Sequence, residues 1–345
     1  MKIDYSLFED YKREGKLISQ DHPTLPLTIW NYSKNTQFER VWDEVTLMCR
    51  GLVTDFNGNV VARPFKKFFN LEEGEHIPTK TFTVLEKLDG SLGISFWYKG
   101  EWVFASRGSF TSDQAIKGKE MFNKLEKYSL FEDMTYMWEI IYPENRIVVD
   151  YGDKERLVLL GIIETKTGLE ISLNGIRANG NYDVVKEYSN IANHIKLYEL
   201  KLKHENDGIE GFVIKFTNGS RVKIKYSEYV RLHRLISMIS TKSIWECLKN
   251  GDNMEQLLSE IPDEFYDKVR EYRDELKSKW ENLYQQIRSE YITINQSLGY
   301  VDDKTFANFI QDHPVKSCLF LMRNKKIDRI QEWIWDEIRP EFKML

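Results

Sequence analysis

Cysteine is scarce in these 345 residues: Cys49, Cys247 and Cys318 stand alone, without C-x-x-C spacing. That excludes a disulfide framework and a thiolate zinc site, and leaves the three as buried packing residues. Eight prolines and 19 glycines are too few for a collagen-like chain, and with 41% hydrophobic residues the chain is not wholly disordered. Apolar runs such as 157–163 fall far short of the roughly 20 residues a membrane span needs. The opening Met1-Lys2-Ile3-Asp4 has no signal-peptide core, so a cytoplasmic address without a membrane partner is expected. The histidines show no H-x-x-x-H or H-E-x-x-H spacing, and neither a Walker A nor a G-x-G-x-x-G pattern occurs. Excess positive charge is missing too: 49 basic against 54 acidic side chains give −5, which argues against coating nucleic acid by bulk charge.

What is present is local. Between Lys215 and Arg234 lie six basic residues, Lys215, Arg221, Lys223, Lys225, Arg231 and Arg234, against the single acid Glu228. A basic strip in an acidic chain suggests phosphate handling, and His233 sits inside it. The length suggests about two domains. From about residue 47 to 225, short β-prone segments alternate with turn signals such as Asn57-Gly58-Asn59 and Asn218-Gly219-Ser220. Helical patterns interrupt them at 112–127 and at 182–202. Beyond Lys225 a helical period takes over from Tyr229. Its clearest stretch follows Ile261-Pro262-Asp263, where Phe265, Val269, Tyr272, Leu276, Trp280, Leu283 and Ile287 recur every three or four residues. Helices are also expected at 304–311 and 327–338. The expected fold is therefore α+β: an antiparallel-sheet domain over residues 1–240, followed by an all-α domain over 241–345.

Lys87-Leu88-Asp89-Gly90 joins two β-prone runs, 81–85 and 92–98, and so puts a lysine at a turn between strands. Two further acids interrupt strand-like runs, Glu139 in Trp138-Glu139-Ile140-Ile141 and Glu210 in Glu210-Gly211-Phe212-Val213-Ile214-Lys215. Carboxylates in such places need partners. In Val222-Lys223-Ile224-Lys225 the two lysines fall on one face, because strand side chains alternate with period two. Each pattern alone is weak.

Together they resemble the covalent nucleotidyltransferase superfamily, whose motif order is K-x-D-G, a strand glutamate, E-G-x-x-x-K and K-x-K. Cys49-Arg50-Gly51-Leu52-Val53, Arg63 to Asn70, Pro143 to Val148 and Lys223 to Val230 narrow the resemblance to the RNA ligase 1 family of T-even phages. It covers about residues 1–240. The tail resembles that family only in position and composition.

The resemblance implies an ATP-dependent RNA ligase acting in three nucleotidyl transfers. Lys87 would attack the α-phosphorus of ATP, AMP would pass to an RNA 5′-phosphate, and a 3′-hydroxyl would displace it. It assigns Lys87, Lys223 and Lys225 to catalysis. Around the nucleotide it places Arg50, Lys67, Phe69, Glu86, Asp89, Gly90, Arg107, Glu139, Glu210 and Gly211, with Glu139 and Glu210 near Mg²⁺ or Mn²⁺. Arg107 stands where the phage family carries lysine. The partners implied are RNA with 5′-phosphate and 3′-hydroxyl ends, cleaved tRNA among them, and an end-healing kinase or phosphatase. A free lysine near pKa 10.4 is a poor nucleophile at neutral pH, so Lys87 is expected to be activated by desolvation and by the cations Lys223 and Lys225. The rivals are a DNA ligase or capping-type enzyme, disfavoured by the helical tail, and a catalytically silent RNA-binding scaffold with the same fold.

Overall fold

The computed structural model describes residues 2–71, 81–188, 209–226, 240–252, 254–259 and 265–341. The chain divides into two compact units, 1–235 and 236–345. No helix among the described residues is long and apolar enough to cross a membrane.

The first unit opens with helix α1 (Tyr5–Arg13) and three sheets follow. The first sheet runs β1 (Leu17–Asp21), β2 (Leu27–Tyr32), β3 (Arg50–Asp55) and β4 (Val60–Ala62), with the short helices α2 (Lys34–Phe38) and α3 (Glu44–Met48) between β2 and β3. Chain order continues with β5 (Phe69–Asn70), β6 (Phe82–Lys87), β7 (Ser91–Tyr98), β8 (Glu101–Ser106), α4 (Asp113–Asn123), β9 (Met134–Ile141), β10 (Arg156–Glu164) and β11 (Glu170–Ile171). Helix α5 (Asn174–Asn179), β12 (Asp183–Val184), β13 (Glu187–Tyr188), β14 (Gly211–Phe216) and β15 (Arg221–Lys225) follow, and a 3-10 turn (Pro143–Asn145) lies between β9 and β10. The second sheet has the order β11-β10-β9-β7-β8, with β12 against β10. The third is β13-β6-β14-β15-β5.

Period-two alternation sets what each face does. Along β9, Tyr136, Trp138 and Ile140 join Phe122 of α4 and Leu159 of β10 in one core, while Met137 and Ile141 point the other way. Met137 packs with Phe65 and Ile163. Ile141 packs with Leu88 and Val158, and Leu85 of the third sheet closes on that cluster. In the third sheet Val84, Phe212, Ile214, Phe216 and Ile224 form a core with Val149 and Tyr226. The alternate positions, among them Lys87, Lys223 and Lys225, are thereby turned to the opposite face.

The helix expected over 182–202 is a correction. In its described part the chain forms β12 and β13, with Val184 parallel to Leu159 and Tyr188 antiparallel to Val84. Valine and tyrosine suit a strand, and edge positions on β10 and β6 were open to them, so tertiary pairing overrode the apparent period. Residues 189–208 lie outside the described residues, as do Tyr229, His233 and the Ile261-Pro262-Asp263 helix start.

The second unit is helical: α6 (Thr241–Asn250), α7 (Met254–Ser259), α8 (Tyr266–Leu298), α9 (Asp303–Phe309), α10 (Lys316–Arg323) and α11 (Ile327–Glu337). Ser240 starts α6 with a capping box through Ser243. The 33 residues of α8 extend about 50 Å. Ile287 and Ile294 on α8 meet Phe306, Cys318, Leu319, Ile330 and Ile334 in the unit's core. The three cysteines are all buried and free.

Candidate active site

Lys87 is the last residue of β6, so strand pairing and not a loose turn fixes its direction. β14 lies between β6 and β15, and Gly211 stands opposite both Lys87 and Lys225. Val213 is likewise opposite Leu85 and Lys223. The register therefore delivers three lysines to one end of one face.

Glu210 immediately precedes β14. Lys87 Nζ donates to its Oε2 at 2.5 Å, and Lys225 Nζ lies 3.2 Å from Oε1. Simple alternation would send residue 210 to the apolar face. Gly211 has φ of +150°, open to glycine and strained for other residues, and this break lets the acid reach the lysines. Burial alone would raise the Glu210 carboxyl, but Lys87 and then Lys225 hold it below its ordinary value. The cluster around Lys87 therefore joins cations and an acid, with Glu210 bridging two of the ammoniums. For attack the amine must leave that bond and its proton. Lys225 remains to pair Glu210 when it does.

The K-x-D-G turn is anchored from below. Asp89 is buried, and its Oδ2 accepts from the amides of Val148 at 2.8 Å and Val149 at 2.7 Å. Its own amide donates to Tyr151 Oη at 2.9 Å. Asp89→Ala strands two amides at once. At about 1–3 kcal/mol for each buried group left unsatisfied, it should cost roughly 2–4 kcal/mol and slow any covalent chemistry at Lys87. Urea melts and intact-mass kinetics check this. Wild-type stability in the variant would show the turn is held otherwise.

Gly90 lets the turn touch β9. A Cβ there would lie 2.6 Å from Ile140 O, and the Gly90 amide donates to Glu139 Oε1 at 2.9 Å. Glu139 occupies the row between Met137 and Ile141, both buried. Burial pushes its carboxyl up to about 8, with Glu210 adding to the rise against the pull of Lys87. A carboxyl raised in the folded state stabilises below its unfolded value, near 4.3, and that stability is lost as pH rises through about 8. In chelator, melting temperature should therefore fall between pH 5 and pH 9. Glu139→Gln, which cannot ionise, should flatten that fall by several degrees. Parallel pH profiles for the two proteins would contradict the assignment.

Arg50 and Arg107 extend the site. Burial holds the Arg50 guanidinium below its ordinary value, with Arg107 adding to the effect, and Arg50 is close enough to Glu139 to pull that carboxyl down. Arg50 stands 5.3 Å over the Phe68 ring, and its Nη1 is buried without a hydrogen-bond partner, an arrangement an anionic oxygen would satisfy. Arg107 donates to Tyr32 Oη at 3.4 Å. Lys67 lies 5.4 Å from the centroids of Tyr32, Trp42 and Phe69, and Trp42 meets Tyr32 and Phe69 edge-on. Phe68 and Phe69 are half-buried faces beneath cations and not closed core. Contacts and mutual fields thus link Lys67, Arg107, Arg50, Glu139, Lys87, Glu210, Lys223 and Lys225 into one chain of charge. Glu86 is set apart: alternation turns it to the face opposite Lys87, where its field reaches Tyr151.

Sequence reading missed Tyr32, Trp42, Tyr151 and the amides of Val148 and Val149. Apart from Val148, which ends the Pro143–Val148 segment, none carries a local signal. Two carboxylates, Glu139 and Glu210, are available to a metal, and among the described residues no group of three His, Cys, Asp or Glu could hold one. That set fits a hard, largely hydrated divalent cation that also uses substrate phosphates, and does not fit a caged structural ion. Chemically, the site offers a strand-end amine, two carboxylates and a row of cations suited to phosphoryl oxygens.

This combination of paired sheets and a lysine-centred site has the nucleotidyltransferase fold. A solved protein of Aquifex aeolicus, described provisionally as an ATP-dependent DNA ligase, superposes with a TM-score of 0.50 at 18% identity, covering 81% of this chain and 75% of that one. The family model described as RNA ligase matches residues 48–229, and the chain belongs to that family. An RNA ligase of Rhodothermus phage RM378 is 23% identical over 89% of this chain and 87% of its own. A protein of Thermovibrio ammonificans, provisionally named an RNA ligase, is 31% identical over 195 residues, 51% of this chain. The present chain spans about half the length of that curated relative.

Proposed function

We propose that this protein is an ATP-dependent RNA ligase that joins a 5′-phosphate to a 3′-hydroxyl through a lysyl-AMP and an adenylated RNA. The observation that carries the reading is Lys87 held against Glu210, which Lys225 also pairs, within the segment that matches RNA ligases.

In the first step Lys87 Nζ gives up its proton and attacks the α-phosphorus of ATP. A P–N bond forms, the bond to the bridging oxygen breaks, and pyrophosphate leaves. Lys223, Lys225 and Arg50 stabilise phosphoryl oxygens, whose charge grows in the transition state. In the second step an RNA 5′-phosphate oxygen displaces Lys87 and takes AMP. In the third a 3′-hydroxyl attacks that phosphate, releasing AMP and closing the phosphodiester. Asp89 and Gly90 hold the turn so that attacking and leaving groups lie in line. Mg²⁺ or Mn²⁺, when bound near Glu139 and Glu210, supplies charge neutralisation of the phosphates.

On this reading residues 1–240 are the adenylyltransferase and 241–345 a helical RNA-specificity domain, working in the cytoplasm on RNAs such as cleaved tRNA. Because the substrate ends are a 5′-phosphate and a 3′-hydroxyl, a kinase or phosphatase activity must supply them wherever breakage leaves other ends. The test is incubation with ATP, Mg²⁺ and 5′-phosphorylated RNA, with phosphorylated DNA in parallel. Joined or circular RNA supports the proposal. Joining confined to DNA, or no adenylate on the protein, overturns it.

A further inference from the structure

The lysine face of the third sheet does not end at Lys223. Strand pairing sets Lys215 opposite both Thr83 and Arg221, so these three form the next row but one from Lys87 on the same face. Along β15, Lys225, Lys223 and Arg221 follow at two-residue steps of about 7 Å each, a step one nucleotide of an extended strand can cover. The row of Thr83, Lys215 and Arg221 lines a cleft of about 990 Å³ together with the loop carrying Arg63, Lys66 and Phe68.

The charge of the cleft is lopsided. Five basic side chains line it, Arg63, Lys66, Lys67, Lys215 and Arg221, against one acid, Glu170, in a chain whose net charge is −5. Glu170 fixes the floor, taking Lys215 at 2.7 Å and Arg221 at 2.6 Å. The Arg221 guanidinium also lies 3.9 Å over the Phe65 ring. Lys66 on the rim is exposed. Apolar faces are at hand as well: Phe68 is half-buried and Leu169 is 65% exposed. A cationic track beside aromatic and apolar faces suits single-stranded nucleic acid, whose phosphates follow the charge while bases stack.

We propose that this cleft, continuous with the catalytic lysines through Arg221, binds the single-stranded RNA segment next to the joint. The proposal rests on the ligase reading above and deepens it. Arg63 and Lys66 contact backbone phosphates, and Phe68 offers a ring to a base. In a chain of net charge −5 such a basic cleft also steers the strand toward Lys87.

The test uses the full chain with Arg63→Ala/Lys66→Ala, and Lys66→Glu as a single surface change that spares the fold. The probe is 5′-phosphorylated single-stranded RNA, with affinity read by fluorescence anisotropy at two salt concentrations and lysyl-AMP read by intact mass. Expected are adenylate formation within about twofold of wild type, RNA dissociation constants raised about tenfold or more, and a salt slope smaller by about one to two. Unchanged RNA affinity and slope in both variants would overturn the proposal. So would normal RNA binding with a raised KM for ATP in self-adenylylation, which would assign the cleft to the triphosphate. Absence of adenylate on wild-type protein would instead sink the ligase reading, since RNA affinity is measured separately.

Discussion

Lys87→Ala abolishes self-adenylylation, by at least about a thousand-fold, while sealing of chemically pre-adenylated RNA persists in substantial part. The first effect follows because alanine has no lone pair to form the P–N bond, and Lys225, the amine in the same row, is paired to Glu210. The second follows because the final transfer uses an end already activated and needs only cations and alignment, which Lys223, Lys225 and Arg50 still supply. The fold should survive, since Glu210 keeps Lys225 at 3.2 Å. Lys87→Arg should fail equally in the first step, because guanidinium is not a nucleophile at any accessible pH. Intact-mass spectra with ATP and Mg²⁺, paired with a sealing assay on pre-adenylated RNA, decide the matter. An adduct that remains in the alanine variant would move the nucleophile elsewhere. Complete loss of sealing by folded variant protein would give Lys87 a second role.

Gly211→Ala should damage stability and chemistry together. A Cβ at this position would lie 2.0 Å from Ile224 O and 2.9 Å from Lys225 Cα, with φ at +150°. The colliding atoms are backbone of the neighbouring strand and cannot turn aside as a side chain would. Relief requires β14 to move, yet it is paired to β6 at Lys87 and to β15 at Lys225. We expect a loss of about 3 kcal/mol or more, from backbone strain and overpacking combined, and a melting temperature lower by roughly 6–12 °C. Displacing catalytic groups by about 1 Å costs on the order of a hundredfold in rate, so adenylylation should fall by that factor even well below the melt. Thermal melts beside intact-mass kinetics at low temperature separate the two effects. A variant as stable and as active as wild type would mean the Gly211 conformation is not what aims Glu210.

Much of the site could be read in advance where a local rule governs it. Lys223 and Lys225 share a face because strands alternate. Glu139 interrupts an apolar row, and that interruption is visible in the sequence. The long helix showed its apolar stripe, with Val269, Leu276 and Ile287 buried on α8. Where two elements compete for the same residues, local rules failed: Val184 and Tyr188 fitted a helical spacing but found strand partners on β10 and β6. The direct pairing of Lys87 with Glu210 could not be read for a similar reason. Lys87 and Glu210 are 123 residues apart, and alternation by itself would place Glu210 on the wrong face.

The amino-acid order alone therefore determined the chemical inventory: one amine at a strand end, the carboxylates, a lysine pair, and a change to helical period after the β-rich part. Those features are encoded within a few residues of each other, at the range over which backbone geometry acts. Tertiary structure decided the rest. It set Glu210 between two lysines, put Arg50 under the field of Arg107, surrounded Lys67 with Tyr32, Trp42 and Phe69, and hung the Asp89 turn from amides 60 residues away. These neighbours exist because two sheets pack face to face and a third brings β2 and β3 alongside. Such proximity depends on which strands pair and in what register, and no local period records it.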